Sequence, residues 1–446
     1  MQKLNNSKDF IGLMFDAEKY IRENAEIGYK EFKTHAYLKQ AMLDLGYDVK
    51  EYDNVTGFTC VYDSGKAGPT LLIFAELDAL LNSSHPDCDK QTGAVHSCGH
   101  NVQCATLLGV ACALKAQNPD ICGRVKFCFV PAEEGIDYSY RKGLIDKGAI
   151  KYVWGKPEYI SRGIFDDCDL AFMVHTTPAR DDGKLFYLNS GNNGNIIKQI
   201  TLIGKASHAG GAPHLGINAL NMASIAISTA NSLRETFLDD DHVRFHSIVS
   251  ECGTTVNTVP EKVIINSYVR AGSVEALQSA NDKINNAFKC VAAAFGGNVI
   301  IEDRTGSMPL KNDAKMTKYA CKTLDNVFGK DSYANTNEWA SICTDFGDIC
   351  TLMPAVHIYS CGMNGPLHGS NSNGGNLDIS LTDSANFQLQ FIKTLLSDGA
   401  KGAKDIIACH KPKFTKQEYL KNKNLISPST DKKIEYLDDG QILIKK

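Results

Sequence analysis

Five short polar clusters punctuate the chain: AELDAL (75–80), HSCGHN (96–101), PAEEG (131–135), MVHTTP (173–178) and GPLHG (365–369). Each ends an apolar run or fills a tight loop, and in an open parallel sheet the carboxyl ends of the strands are where ligands bind. Singly they say little, because a lone histidine is commonly a packed or surface residue and a Glu pair a solvated face. Together Cys98, His100, Glu134, His175 and His368 supply a thiolate, three imidazoles and a carboxylate, donors that suit zinc, manganese or similar ions. Cys98 and His100 share one loop before a predicted helix, whose N-terminal end is expected to favour a thiolate and lower its pKa. Glu133 and Glu134 follow a predicted buried strand, so their side chains point to opposite sides. One can then bind metal while its neighbour reaches a water. A thiol nucleophile built from Cys98 and His100 is disfavoured, since residues two apart on one loop rarely offer in-line activation and no orienting third member is evident.

The elements that must position these residues alternate between strand and helix. Two helices are predicted first, Ser7 to about Arg22 and Glu31 to about Leu45, with Gly46 as a stop. Strands follow near 57–62, 70–75, 125–130 and 170–174, with helices near 102–116 and 139–147 between them. Such alternation implies parallel strands joined by crossovers, hence an α/β layered domain. Past Asn189 the cluster SGNNGN reads as a linker. The next segment runs strand, helix, strand, strand, helix, strand to about Glu302, a split βαβ arrangement of a size that can fold alone. Helix and strand alternation then resumes through helices near 314–328 and 383–396 and a buried strand at 356–359, so the first domain is completed by the chain's return. The expected divisions are 1–189 and 307–410 for the layered domain, 190–306 for the insert and 411–446 for an extension. Within that extension KPKFTKQEYLKNKNL is expected to be solvated, and KKIEYLDDGQILIKK to form a β-hairpin about Asp439-Gly440.

Composition narrows the possibilities further. The chain has 446 residues, 43% hydrophobic and 22% charged, with a formal charge of −4, as in a soluble globular protein. With 47 basic against 51 acidic residues there is no basic field to hold a phosphate backbone, so nucleic acid is not an expected partner. No apolar run approaches the roughly 20 residues of a membrane helix, and the start MQKLNNSKDF carries no export signal. The 15 cysteines are scattered and odd in number, which points to free thiols in a reducing cytoplasm. Cys112, Cys128 and Cys290 lie in apolar runs, where a thiol serves as a small hydrophobe.

Taken in order, AELDAL, HSCGHN, PAEEG, VHTTP, GKASHAG, NTVP with Arg270, and GPLHG make the chain resemble the aminoacylase and carboxypeptidase-type dinuclear metalloamidohydrolases. The likeness is closest to the branch of p-aminobenzoyl-glutamate hydrolase subunits, N-acyl-amino-acid deacylases and related dipeptidases, and extends from EIGYKEF to about residue 398. It implies a zinc-peptidase-like layered catalytic domain with an inserted ferredoxin-like α+β lid that mediates dimerisation, as a homodimer or a hetero-oligomer. It also implies two divalent ions, zinc or manganese first and cobalt or nickel next, held by Cys98, His100, Glu134, His175 and His368. Carried over in the same way, Glu133 is the general base, Asp78 an aspartate that orients the site, and His208 a lid histidine that polarises the scissile carbonyl, if need be across a dimer. Asn257 and Arg270 match holders of the substrate carboxylate, and Gly362 and Gly365 belong to a turn that brings backbone amides to substrate. The implied substrates are N-acyl or N-aminoacyl amino acids, and the implied reaction is amide hydrolysis; the alternative is a silent subunit that keeps the fold and binds a ligand. Departures occur at Asn101 and Gln103, where many relatives have Asp and His, and at Glu76, where many carry Asp.

Overall fold

A computed structural model describes residues 8–135, 137–424 and 429–445. Its strands of three or more residues are, in chain order, β1 (Val49–Glu51), β2 (Phe58–Asp63), β3 (Thr70–Glu76), β4 (Arg124–Val130), β5 (Leu170–Pro178), β6 (Phe186–Leu188) and β7 (Gly194–Ile203). They continue with β8 (Arg244–Cys252), β9 (Lys262–Ala271), β10 (Asn298–Thr305), β11 (Tyr333–Asn335), β12 (Ala355–Met363), β13 (Ile434–Tyr436) and β14 (Ile442–Ile444). The helices of seven or more residues are α1 (Lys8–Glu23), α2 (Phe32–Asp44), α3 (His100–Gln117), α4 (Tyr138–Asp146), α5 (Gly155–Ser161), α6 (Ala219–Ser232), α7 (Val274–Ala294), α8 (Ala314–Val327), α9 (Ser384–Cys409) and α10 (Lys416–Lys423). None is long and apolar enough to cross a membrane among the described residues.

The chain divides into two compact units. The first comprises the described residues up to Ser190 together with Lys311–Glu338 and Asp348–Lys413. Its eight-stranded sheet has the order β1-β2-β4-β3-β5-β12-β6-β11, and the central strands β4, β3, β5 and β12 are mutually parallel. Burial explains the unbroken apolar texture of these strands: every residue of β3 is buried, as is β4 from Val125 on, because helices cover both faces of such a sheet. Helix α3 is buried along most of its length and packs against α1 and α9. Met14, Ala17 and Ile21 of α1 are fully buried at helical spacing. Each fully buried large apolar side chain contributes about 1.5–3 kcal/mol. Helix α9 extends past the expected end at 396, with non-helical backbone at Ser397, Asp398, Gly399 and Ala400.

The second unit comprises Gly191–Leu310, Trp339–Gly347 and the described residues from Phe414 on. Its antiparallel sheet has the order β8-β9-β7-β10, with α6 and α7 packed on it. The burial of β9 alternates residue by residue, the signature of a sheet covered on one face. Leu277, Ala280, Ile284, Phe288 and Val291 form the buried stripe of α7. Asn218 and Ser273 cap α6 and α7 through their side chains. Trp339–Ala340 belongs here because it pairs in parallel with Gly191–Asn192, although it falls within 307–410. The tail joins this unit as well. β13 and β14 pair across a turn with Gly440 at φ +82°, and Ile434 enters the unit's apolar core. The lysine-rich segment is solvated at Lys411, Lys413 and Lys421 as expected, but it is helical in part: Thr415 and Glu418 form a capping box for α10, Tyr419 is fully buried, and the buried Lys423 donates to the Gly306 carbonyl. All 15 cysteines are free thiols; Cys128 is buried, Cys112 partly so, and Cys290 is exposed on α7 in place of the expected apolar burial.

Candidate metal centre

Within the first unit the four parallel strands deliver the polar clusters to one edge of the sheet. Glu76 ends β3, PAEEG follows β4, His175 lies near the end of β5, and the loop to His368 leaves β12. Donor atoms of Cys98, His100 and His175 all lie within 4.8 Å of one another, and so do those of Cys98, Glu134 and His368 and those of His100, Glu133 and Glu134. Cys98 is thus common to two triads. Its Sγ is 3.5 Å from His175 Nε2. The approach depends on Gly99 at φ +92°, where a Cβ would stand 2.1 Å from Thr176 Cγ2. No side chain fits between the Cys98 loop and β5. His368, itself at φ +65°, is tied to the same loop by its N–H, which donates to the Ser97 carbonyl at 2.9 Å.

Both buried imidazoles are oriented from behind. His100 Nδ1 is 2.7 Å from the Asp78 carbonyl and His175 Nδ1 is 2.6 Å from the Thr176 carbonyl. A carbonyl only accepts, so each Nδ1 carries a proton, which leaves Nε2 as the nitrogen that would face a cation. The Asp78 carboxylate accepts the N–H groups of Glu133 (3.1 Å) and Glu134 (2.8 Å), which sets the direction of both glutamates. Burial opposes its ionisation, but the hydrogen bond and charge of His100, with Arg141, hold Asp78 below the usual carboxylate range. Behind the turn, buried Glu31 accepts from Ala132 N–H at 2.9 Å and from the Thr56 hydroxyl. Burial and the neighbouring Asp78 charge push the Glu31 carboxyl up to about 8.

The thiol behaves opposite to the expectation from its place before α3. Burial, with Glu134 and then Glu133 beside it, pushes Cys98 up, because the sulfur faces a dry, acidic neighbourhood. A cation is therefore the group that can draw out the thiolate. The donors fit one: His100 Nε2 and Glu134 Oε1 are buried with no hydrogen-bond partner, and the set is the mixture of sulfur, nitrogen and oxygen that binds zinc-like ions.

The partner of Glu76 is not marked in the sequence. Glu76 Oε1 is 2.6 Å from Lys156 Nζ, and both side chains are completely buried. Burial opposes ionisation here too, yet Lys156, with His100 and His175, holds the Glu76 carboxyl down at about 2. Nothing local in VWGKPEYI (153–160) marks Lys156 as buried, since the stretch also carries Glu158. Asn101 and Gln103 take supporting places: Asn101 Nδ2 donates to Glu18 Oε1 at 2.8 Å, and Gln103 Oε1 accepts from Glu76 N–H at 3.0 Å.

Gly362 (φ +133°) and Gly365 (φ +69°) shape the loop to His368; a Cβ on them would stand 2.8 Å from Ser380 Cβ and 2.7 Å from the Asn371 carbonyl. His208, Asn257 and Arg270 belong to the second unit. His208 is exposed and its Nδ1 accepts N–H groups of Gly210 (3.2 Å) and Gly211 (2.9 Å), so Nε2 is left as the donor. Asn257 is exposed and adjoins it, its carbonyl accepting from Ala209 N–H at 2.9 Å. Arg270 on β9 lies 5.6 Å over the Tyr268 ring, and its buried Nε has no hydrogen-bond partner.

Known proteins resemble this chain in sequence or in fold. The chain is 26% identical over 347 residues to the hippurate hydrolase of Campylobacter jejuni, which covers 76% of this chain and 85% of that one. It is 25% identical over 317 residues to the N-acetyl-L-cysteine deacetylase of Bacillus subtilis, 70% of each chain. Among solved structures, a dinuclear metal-binding M20 peptidase of Bacillus subtilis has a TM-score of 0.66 at 17% identity, covering 86% of this chain and 98% of that one. The aminobenzoyl-glutamate utilization protein of Klebsiella pneumoniae has a TM-score of 0.62 at 18% identity, covering 87% and 98%; both likenesses are of fold. The sequence model of peptidase family M20/M25/M40 matches residues 72–396, and the chain belongs to that family of hydrolases.

Proposed function

We propose that this hydrolase is a metal-dependent amidohydrolase that cleaves the amide of N-acyl or N-aminoacyl amino acids. The observation that carries the reading is the pair of donor triads sharing Cys98, with Glu133 beside Glu134 and His100. The names of the relatives, hydrolases of hippurate, N-acetyl-L-cysteine and Xaa-Arg dipeptides, point to substrates with a free carboxylate next to the scissile bond. In this reading Cys98, His100, Glu134, His175 and His368 would hold two divalent ions, with zinc or manganese the first choices and cobalt or nickel also compatible. Bound cations supply the Lewis acidity that polarises the carbonyl and acidifies water.

The chain's own residues do the rest. Glu133 takes the proton of the attacking water and hands it to the leaving amine, base and then acid in one turnover. Asp78 keeps Glu133 and Glu134 aimed through their amide hydrogens. His208 Nε2–H donates to the carbonyl oxygen as negative charge develops there, a role worth about 100- to 1000-fold in rate. Arg270 offers paired donors to the substrate carboxylate, Asn257 a further one, and the Gly362–Gly365 turn exposes amides. The second unit serves as lid and as the contact of a homodimer, for which the exposed Ile248 and Val249 of edge strand β8 and Leu220 and Ile225 of α6 are suited. Fifteen free thiols support a cytoplasmic setting.

The test is hydrolysis of a panel of N-acyl amino acids and dipeptides after chelation and reloading with zinc, manganese, cobalt or nickel. Turnover restored by metal and abolished by Glu133→Gln, with metal still bound, is expected. A protein that binds metal but turns over none of the panel overturns the reading in favour of a silent subunit.

A further inference from the structure

The completely buried Glu76–Lys156 pair has no place in the mechanism above. Taking two charges out of water is costly, and a well-packed apolar pair of the same volume commonly serves a core as well or better. Its position is informative. Glu76 ends β3 at the edge where the donors gather, and its second oxygen, Oε2, is 3.2 Å from His100 Nε2 yet outside hydrogen-bonding geometry, with no other hydrogen-bond partner. A carboxylate oxygen of Glu76 also lies within 4.8 Å of one of Glu133. A carboxylate paired with a lysine through one oxygen and with its second oxygen vacant, in a dry site beside a cation's imidazole ligand, is itself a strong ligand for that cation. Lys156 is fixed with equal care. It follows Gly155, whose N–H donates to the Ala132 carbonyl at 3.1 Å. A Cβ at 155 would stand 1.8 Å from the Pro131 carbonyl, so α5 starts directly against the loop that carries Glu133 and Glu134.

We infer that Lys156 is a positioning residue that restrains Glu76 as a reserve carboxylate beside the metal centre, keeping it from coordinating and so keeping a position open for water and substrate. A catalytic metal site needs such an open position, and a structural one does not. The ammonium does this in two ways: it anchors Oε1 at 2.6 Å, and its charge offsets that of the carboxylate, which lowers the pull of a cation on Oε2. The inference rests on the metal-centre reading above.

Lys156→Met removes the restraint at similar volume, and Glu76→Gln with Lys156→Met removes both charges. Each full-length variant is compared with the wild type by competition for zinc against a chelator and by the absorption spectrum of the cobalt form. The expected result for Lys156→Met is zinc binding tighter by about tenfold or more, the range over which neighbours of metal ligands act, with weaker cobalt ligand-field bands as an extra ligand joins and with slower hydrolysis. The double variant is expected to return zinc affinity and spectrum to the wild-type values. Circular dichroism monitors folding; where Lys156→Met is not recovered folded, Lys156→Gln, which keeps a donor for Oε1 without the charge, is expected to shift both readouts in the same direction. Unchanged affinity and spectrum in the single variant, or a double variant that behaves like the single one, overturns the inference. If neither single variant folds, the pair serves the fold and the inference also fails. A wild-type protein that takes up no zinc or cobalt overturns the metal-centre reading itself, a result separate from wild-type uptake with an indifferent Lys156.

Discussion

The two units hold their chemically suggestive residues in opposite ways. In the first, His100 and His175 are each fixed through Nδ1 to a backbone carbonyl, and both glutamates of PAEEG are fixed through their amides to Asp78. In the second, the side chains of His208 and Asn257 are exposed on two loops that pair through their backbones, and the His208 ring is tied to amides of its own loop. Rigid donors suit a cation, whose affinity depends on placement within tenths of an ångström, and adjustable donors suit a substrate that must enter and leave. The difference predicts where damage falls on binding of metal and where it falls on rate.

The severest test of that division is Cys98→Ala. Because both triads use this sulfur, metal content measured by elemental analysis should drop for both ions together and hydrolysis should fall by more than about 1000-fold, as when a catalytic unit is dismantled. Loss of a single ion with the other bound as before would show that the triads do not share a ligand. His208→Ala should act on the other side of the division. Metal content should stay at the wild-type value while the rate falls by about 100- to 1000-fold, and a loss of metal would erase the distinction between the units.

The mildest effect concerns the scaffold behind the site. Glu31 has a folded-state pKa raised from 4.5 to about 8, so its protonated form is favoured by folding. Its contribution to stability is fully present below pH 4.5 and is lost as pH rises through about 8. One pKa unit corresponds to about 1.4 kcal/mol, so the full shift sets an upper bound of about 5 kcal/mol on the loss. Thermal melts of the wild type should decline over that window, and melts of Glu31→Gln should be flatter. Equal slopes would show that Glu31 does not govern the first unit's response to pH.

Much of this site could be read in the sequence because its donors are chemically rare and sit where apolar runs stop: Cys98, His100 and His175 are conspicuous by type and by position. The sheet of the second unit is legible for a related reason, since period-two burial along β9 leaves a period-two pattern in the residues. The pair of Glu76 and Lys156 was not legible, because a buried charge is recognisable only when its partner, 80 residues away, is known. The Cys98 thiol was misjudged because a helix end acts over one turn, whereas burial acts from all sides. In the tail Lys411, Lys413 and Lys421 face solvent as their type implies, while the T-x-x-E capping box at Thr415 and Glu418 is the local mark of a helix that the lysines hide. The placement of Trp339–Ala340 in the second unit depends on pairing with Gly191–Asn192 across 148 positions of sequence, which no local pattern records.

The turns that present the donors have a consequence for anyone who would build such a centre anew. Gly99, Ala132, Gly362 and His368 all have positive φ, at +92°, +57°, +133° and +65°, and two of these are residues that adopt such backbone only at a cost of about 1–2 kcal/mol each. Transplanting the five donor side chains onto another scaffold would copy the visible chemistry and omit the backbone that aims it. What must be inherited is the set of corners at the end of the sheet, and the donors follow from it.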